Sequence, residues 1–211
     1  ALVTCTEAKT AALQELMASS RYSVGLATGS GTDQTIVVAN SESPLFFEGA
    51  GKHSKLGELI GLAVMAAVKE ALKKQSGLTP AQQHDLLRRL RRFGVTEEAL
   101  WQRYKEEAGA NALIKAQFIA ALEKMTAVPA LFPLGVLFIH LYDEHLWGLL
   151  EKEETWEAAE KLLKEMAAAL RLKTQEGVLM QEDYMESLAM LLVRAVVERA
   201  VRSVSEAKGC R

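Results

Sequence analysis

Cysteine is nearly absent: Cys5 and Cys210 stand near opposite ends of the 211-residue chain. That excludes a disulfide framework and any paired-cysteine metal site, and it fits a reducing compartment, so the expected location is the cytoplasm. Net charge is also scarce, at −2 with a sequence pI of about 6.2. No global field draws the molecule to nucleic acid or to an anionic membrane, and neither partner is expected. Long apolar runs are missing too. The most apolar stretch, 128–142, carries Pro129 and Pro133 and runs into His140, Asp143, Glu144 and His145. It falls short of the roughly 20 apolar residues a spanning helix needs and reads as a buried helix. No basic start leads into an apolar stretch and a small-residue cleavage pattern, so a retained signal peptide is not expected.

What is present is a hydrophobic content of 49%, enough for one large core or two small ones. Residues 7–18 alternate alanine and leucine with charge in the manner of a short amphipathic helix, with Thr6 placed as its N-cap. Three short stretches then read as strands: Tyr22–Ala27, the β-branched Thr35–Ala39, and Leu45–Phe47. From Ser54 to Gly77 apolar residues recur at helical steps. Thr79 and Pro80 restart a helix, as N-cap and first residue, that runs to Gly94. Thr96 opens another, and further helices are expected near 111–126, 130–150, 155–172 and 180–207. The expected fold is an α/β or α+β N-terminal layer, residues 1–94, with a mainly α-helical C-terminal half, residues 95–211. The latter would be a separate or oligomerisation domain.

Three polar clusters lie in the first third. Thr28-Gly-Ser-Gly-Thr-Asp33 follows an expected strand, and its glycines can present successive backbone N–H groups to an anion or a developing oxyanion. A plain hairpin loop explains the same residues. Glu7 and Lys9 flank a helix start, where Glu7 could serve as a base and Lys9 could hold an anion, although dipole complementarity alone accounts for the acid. His53 stands with Lys52, Lys55 and Glu58 before a helix that Ser54 can cap. Its imidazole titrates near neutral pH and could move a proton. Cys5 lacks an activating base and reads as a small packing residue. His140 and His145 are five apart, off the i, i+4 spacing of helical zinc ligands, so no metal site is expected. Arg88, Arg89, Arg91 and Arg92 read as a solvated helix face.

Together, Thr-Glu-Ala-Lys-Thr at 6–10, Ala-Thr-Gly-Ser-Gly-Thr-Asp at 27–33 and Lys-Leu-Gly-Glu-Leu-Ile-Gly at 55–61 resemble the adenosylcobinamide amidohydrolase family of corrinoid salvage, over about residues 1–95. The resemblance implies hydrolysis of the amide joining the corrin propionyl side chain to aminopropanol, giving adenosylcobyric acid. The corrinoid brings its own cobalt, so no further cofactor is implied. Amide hydrolysis needs a base, an oxyanion-binding donor set and an acid for the leaving amine. The clusters supply a candidate for each: Glu7 or Asp33 as the base, the turn with Thr28, Ser30 and Thr32 for the oxyanion, His53 or Lys9 for the amine, and Glu58 as a substrate contact. A hydroxyl nucleophile among Thr28, Ser30 and Thr32 is the competing mechanism. The family carries a region upstream of the Thr-Glu-Ala-Lys motif, whereas five residues precede Thr6 here, which implies a partial enzyme, a piece of a longer protein, or a homo-oligomer or partner supplying that region. A non-catalytic corrinoid-binding or helical interaction module is the alternative reading.

Overall fold

Helix formation starts almost at once in the computed structural model, which describes residues 1–30, 34–109, 112–172 and 182–209, with side chains described as far as Val201. The chain divides into two compact units, Ala1–His84 and Asp85–Arg211, so the division falls ten residues before the expected boundary at 94. Leu86, Leu87 and Leu90, which follow the division, are buried and belong to the core of the second unit.

In the first unit, α1 spans Leu2–Glu15 and α2 spans Lys55–Ser76. The expected cap at Thr6 lies inside α1, where its hydroxyl donates to the Leu2 carbonyl at 3.2 Å. The C-terminus of α1 is closed by Met17 at φ 48°. Its amide donates to Gln14 O and that of Ala18 to Leu13 O, both at 2.9 Å, which satisfies carbonyls the helix leaves open. Buried Gln83 adds Nε2–H donations to Leu16 O at 2.6 Å and Met17 O at 3.0 Å. Ser54 caps α2 by accepting from the Gly57 amide, and Gly77 at φ 70° ends it. Thr79 and Pro80 open the short α3, Pro80–Gln83, as expected.

The N-terminal α/β layer is not formed among the described residues. Among the described residues, what stands in its place is an isolated bridge between Ser19 and Leu26. Residues 34–40 and 45–47 carry no regular structure, and Ile36, Val38 and Phe46 are each at least 85% exposed. Strand composition favours a pleated surface only where a second strand supplies the hydrogen bonds and a second layer the burial. Neither is supplied here.

The second unit is helical throughout its described part, in agreement with the expected C-terminal half. It contains α4 (Leu86–Leu90), a 3₁₀ turn at Arg91–Phe93, α5 (Glu97–Glu107), α6 (Lys115–Thr126), α7 (Leu131–Leu146), α8 (Lys152–Ala169) and α9 (Tyr184–Gly209). The helix expected to run from Pro80 to Gly94 is broken, because Asp85 accepts from the Arg88 amide and starts α4 afresh. Thr96 caps α5 through the Ala99 amide. Phe138, Tyr142, Trp156 and Tyr184 pack ring against ring, and the Tyr184 hydroxyl donates to Phe138 O at 2.8 Å. Arg92 is no part of a solvated face: its side chain is 4% exposed and forks onto Asp143, itself 5% exposed. Arg103 likewise bonds Glu186 through Nε at 2.7 Å, tying α5 to α9. Among the described residues no single helix is long and apolar enough to cross a membrane.

Candidate functional site

The first unit is organised around the hydroxyls of α1. Thr4, one turn into the helix and buried, donates to Ala50 O at 2.8 Å. Thr10, two turns further on, donates to Thr28 O at 2.8 Å, and Gln14 Nε2 donates to Ala27 O at 3.2 Å. One helix therefore holds the turn that begins at Ala27 and the loop that precedes α2. Threonine suits this work because its hydroxyl can donate outward while its methyl packs on the helix surface. The two loops that sequence singled out are brought to the same α1 by side-chain bonds that span long sequence separations.

Between α1 and α2 lies an open cleft of about 390 Å³, lined by Thr4, Glu7, Ala8, Ala11, Lys52, Gly57, Glu58, Gly61 and Met65. Glu7 Oε1 meets Lys52 Nζ at 2.9 Å, and Glu58 Oε2 meets Lys55 Nζ at 2.6 Å. The cleft thus offers two carboxylates from different helices, each with an ammonium beside it. Both pairs are largely solvent-exposed, so they orient groups more than they stabilise the fold. The glycines of α2 shape its wall. A Cβ at Gly57 would stand 2.0 Å from Gly51 O, whereas one at Gly61 would meet nothing within 4 Å and would project into open space.

Of the residues singled out from sequence, Glu7 and Glu58 face this cleft. Lys9 is half-buried and has a partner of its own, and His53 is exposed; neither lines the cleft. Thr28 and Ser30 sit on the exposed turn beside α1, where Thr28 contributes its carbonyl to Thr10. Thr32 and Asp33 lie outside the described residues. Lys52, named beside His53 but given no role of its own, lines the cleft, as do Thr4 and Gly61, which sequence did not single out. Gly57 and Gly61 sit one turn apart on a helix otherwise rich in leucine and alanine, and that spacing was a readable sign of an open face. His140 and His145 also have structural partners. His140 Nε2 lies 3.4 Å from Glu144, and His145 packs edge-on against Trp156.

The cleft and the α1-bound turn both fall inside one recognisable segment. Residues 1–80 match the adenosylcobinamide amidohydrolase family. The resemblance carried by the three sequence motifs thus holds over 1–80, and the adenosylcobinamide amidohydrolase match leaves the helical second unit outside it. An uncharacterized protein of Methanocaldococcus jannaschii is 46% identical over 76 residues, a stretch that makes up 36% of this chain and 29% of that relative. The chain therefore spans less than a third of that relative's length. No solved structure matches.

Proposed function

We propose that the first unit binds adenosylcobinamide and hydrolyses its aminopropanol amide, giving adenosylcobyric acid. The observation that carries this reading is the cleft between α1 and α2, which faces Glu7 and Glu58 in the segment similar to adenosylcobinamide amidohydrolases. At about 390 Å³ it lies near the lower end of small-molecule sites, which run from about 300 to 1,000 Å³. That size suits the amide-bearing arm, with the corrin macrocycle remaining outside. Lys52 engages one oxygen of Glu7, which directs the other toward a water attacking the amide carbon. The turn from Thr28 with Ser30 would offer backbone N–H groups for the tetrahedral oxyanion, a role that the sequence extends to Thr32. His53 or Lys9 would protonate the departing amine, and Asp33 is the alternative base. The cobalt belongs to the substrate, and no resident metal is invoked. The reading carries with it a cytoplasmic setting.

Gly61→Leu provides the test. Replacing glycine in a helix interior stabilises it by about 1 kcal/mol, while the added side chain fills the cleft. The expected outcome is a variant at least as stable as the parent in urea, with adenosylcobinamide hydrolysis reduced at least tenfold, as followed by chromatographic detection of adenosylcobyric acid. Undiminished turnover would place the reaction elsewhere. Spectral binding of adenosylcobinamide by the parent with no acid formed would favour a corrinoid-binding module without catalysis.

A further inference from the structure

We infer that Lys52 is the positioning cation of this site, and that Thr4 and Gly57 are the residues that hold it there. The inference rests on the cleft reading above but concerns how the cleft is assembled. Lys52 belongs to a loop that has no regular structure of its own, and its side chain is 68% exposed. A long lysine on a loose loop would lose considerable rotamer entropy in holding one carboxylate oxygen. The loop is anything but loose at its base. Thr4 donates from α1 to Ala50 O at 2.8 Å. Ser54 closes the other side, its hydroxyl donating to Gly51 O at 2.8 Å while accepting from the Gly57 amide at 3.0 Å.

Gly57 makes that closure sterically feasible. A Cβ there would lie 2.0 Å from Gly51 O, 2.6 Å from Gly51 C and 2.9 Å from Ala50 O. All three are backbone atoms that cannot swing aside as a side-chain end does. With any other residue at 57, the peptides on which Lys52 depends must lift away from the helix. Thr4 and Gly57 therefore meet at the Ala50 carbonyl, one by a hydrogen bond and one by allowing close approach, and Gly57 admits the Gly51 carbonyl as well. Lys52 follows directly in sequence, and its Nζ reaches Glu7 Oε1 at 2.9 Å. Thr4 and Glu7 are three residues apart on one face of α1, so the helix that anchors the loop also carries the carboxylate the loop must reach.

Zero-length carbodiimide coupling of the full chain, followed by peptide mass spectrometry, reads this geometry without requiring turnover. The parent is expected to form a Glu7–Lys52 amide crosslink. Thr4→Val keeps the shape of the side chain and removes the donor, and Gly57→Ala inserts the clash. Each should lower crosslink yield at least fivefold, whereas Thr4→Ser, which keeps the hydroxyl, should retain it. Equal yields in the parent, Thr4→Val and Gly57→Ala would overturn the inference, and so would absence of the crosslink from the parent. Kinetics on adenosylcobinamide add a second reading, since a misplacement of about 1 Å in a site can cost up to 100-fold in rate. Thr4→Val and Lys52→Met should each lower kcat about 10- to 100-fold with KM little changed, and the double variant should match Lys52→Met within twofold. Losses that multiply instead would show that Thr4 acts other than through Lys52. A parent that crosslinks but does not hydrolyse rejects the proposed function while leaving the positioning role standing.

Discussion

Removing the Asp143 carboxylate should unfold the second unit far more readily than its single position suggests. Arg92 and Asp143 are joined by two bonds, Nη1 to Oδ1 at 2.8 Å and Nη2 to Oδ2 at 2.5 Å, with side chains 4% and 5% exposed. The guanidinium also lies 4.1 Å over the Phe93 ring, and Phe93 packs against Tyr142. The pair thus clamps the 3₁₀ turn after α4 to the last turn of α7. In Asp143→Ala a buried guanidinium loses its carboxylate and keeps its desolvation cost, a change worth about 3–5 kcal/mol. Against a urea dependence of about 1.5 kcal/mol per molar, that moves the unfolding midpoint down by roughly 2–3 M. Replacing both partners by apolar residues, as in Arg92→Met with Asp143→Leu, removes the stranded charge. Such exchanges are often neutral or stabilising, so the double variant should recover most of the loss. The assay is urea unfolding followed by tryptophan fluorescence, which reports on this unit because Trp101, Trp147 and Trp156 all lie within it. If Asp143→Ala unfolds within about 0.5 M of the parent, or if the double variant is no better than the single, the reasoning fails.

Two further outcomes follow from the same unit. A Cβ at Gly135 would lie 2.5 Å from Leu86 Cδ1, and Leu86 is 1% exposed with little room to turn. Gly135→Ala should therefore destabilise by about 1–3 kcal/mol through overpacking, and adding Leu86→Ala should bring a smaller further loss than Leu86→Ala causes in the parent; simple additivity in urea melts would refute this. Burial, and secondarily Tyr142, push the Tyr184 phenol above the usual tyrosine range. The unfolded chain then releases this proton from about pH 10 while the native one retains it. The stabilisation is complete below about pH 10 and declines as pH rises above it. The gap in unfolding free energy between the parent and Tyr184→Phe should narrow between pH 9 and 11, and a constant gap would contradict the assignment.

Helix boundaries were legible where a local bond makes them. Ser54, Thr79 and Thr96 each cap a helix, and Gly77 adopts the left-handed conformation that ends α2. Asp85 escaped notice because it interrupts an arginine-rich pattern that reads as continuous helix. The strands failed for a different reason. Thr35–Ala39 has the side chains of a strand, but pairing is a property of a second segment that composition does not name. The site divided along the same line. Glu7 and Glu58 were readable as chemistry near turns, while Lys52 joins Glu7 only after Thr4 and Gly57 have shaped a loop, and those contacts are tertiary. The arginine run shows the converse, since a charge that looks solvated in sequence is buried once Asp143 arrives from a distant helix.

The uncovered stretch at Ile36, Val37 and Val38 has a consequence for handling the protein. A short β-branched run without charge or proline, with Phe46 and Phe47 close behind it in sequence, is the composition from which strands in separate copies add to one another. Self-association through this stretch is the expected outcome, read as light scattering that rises with protein concentration. Replacing Val38, which is 88% exposed, by lysine should suppress it at a position outside the cleft lining, and would separate loss of protein to precipitation from loss of activity.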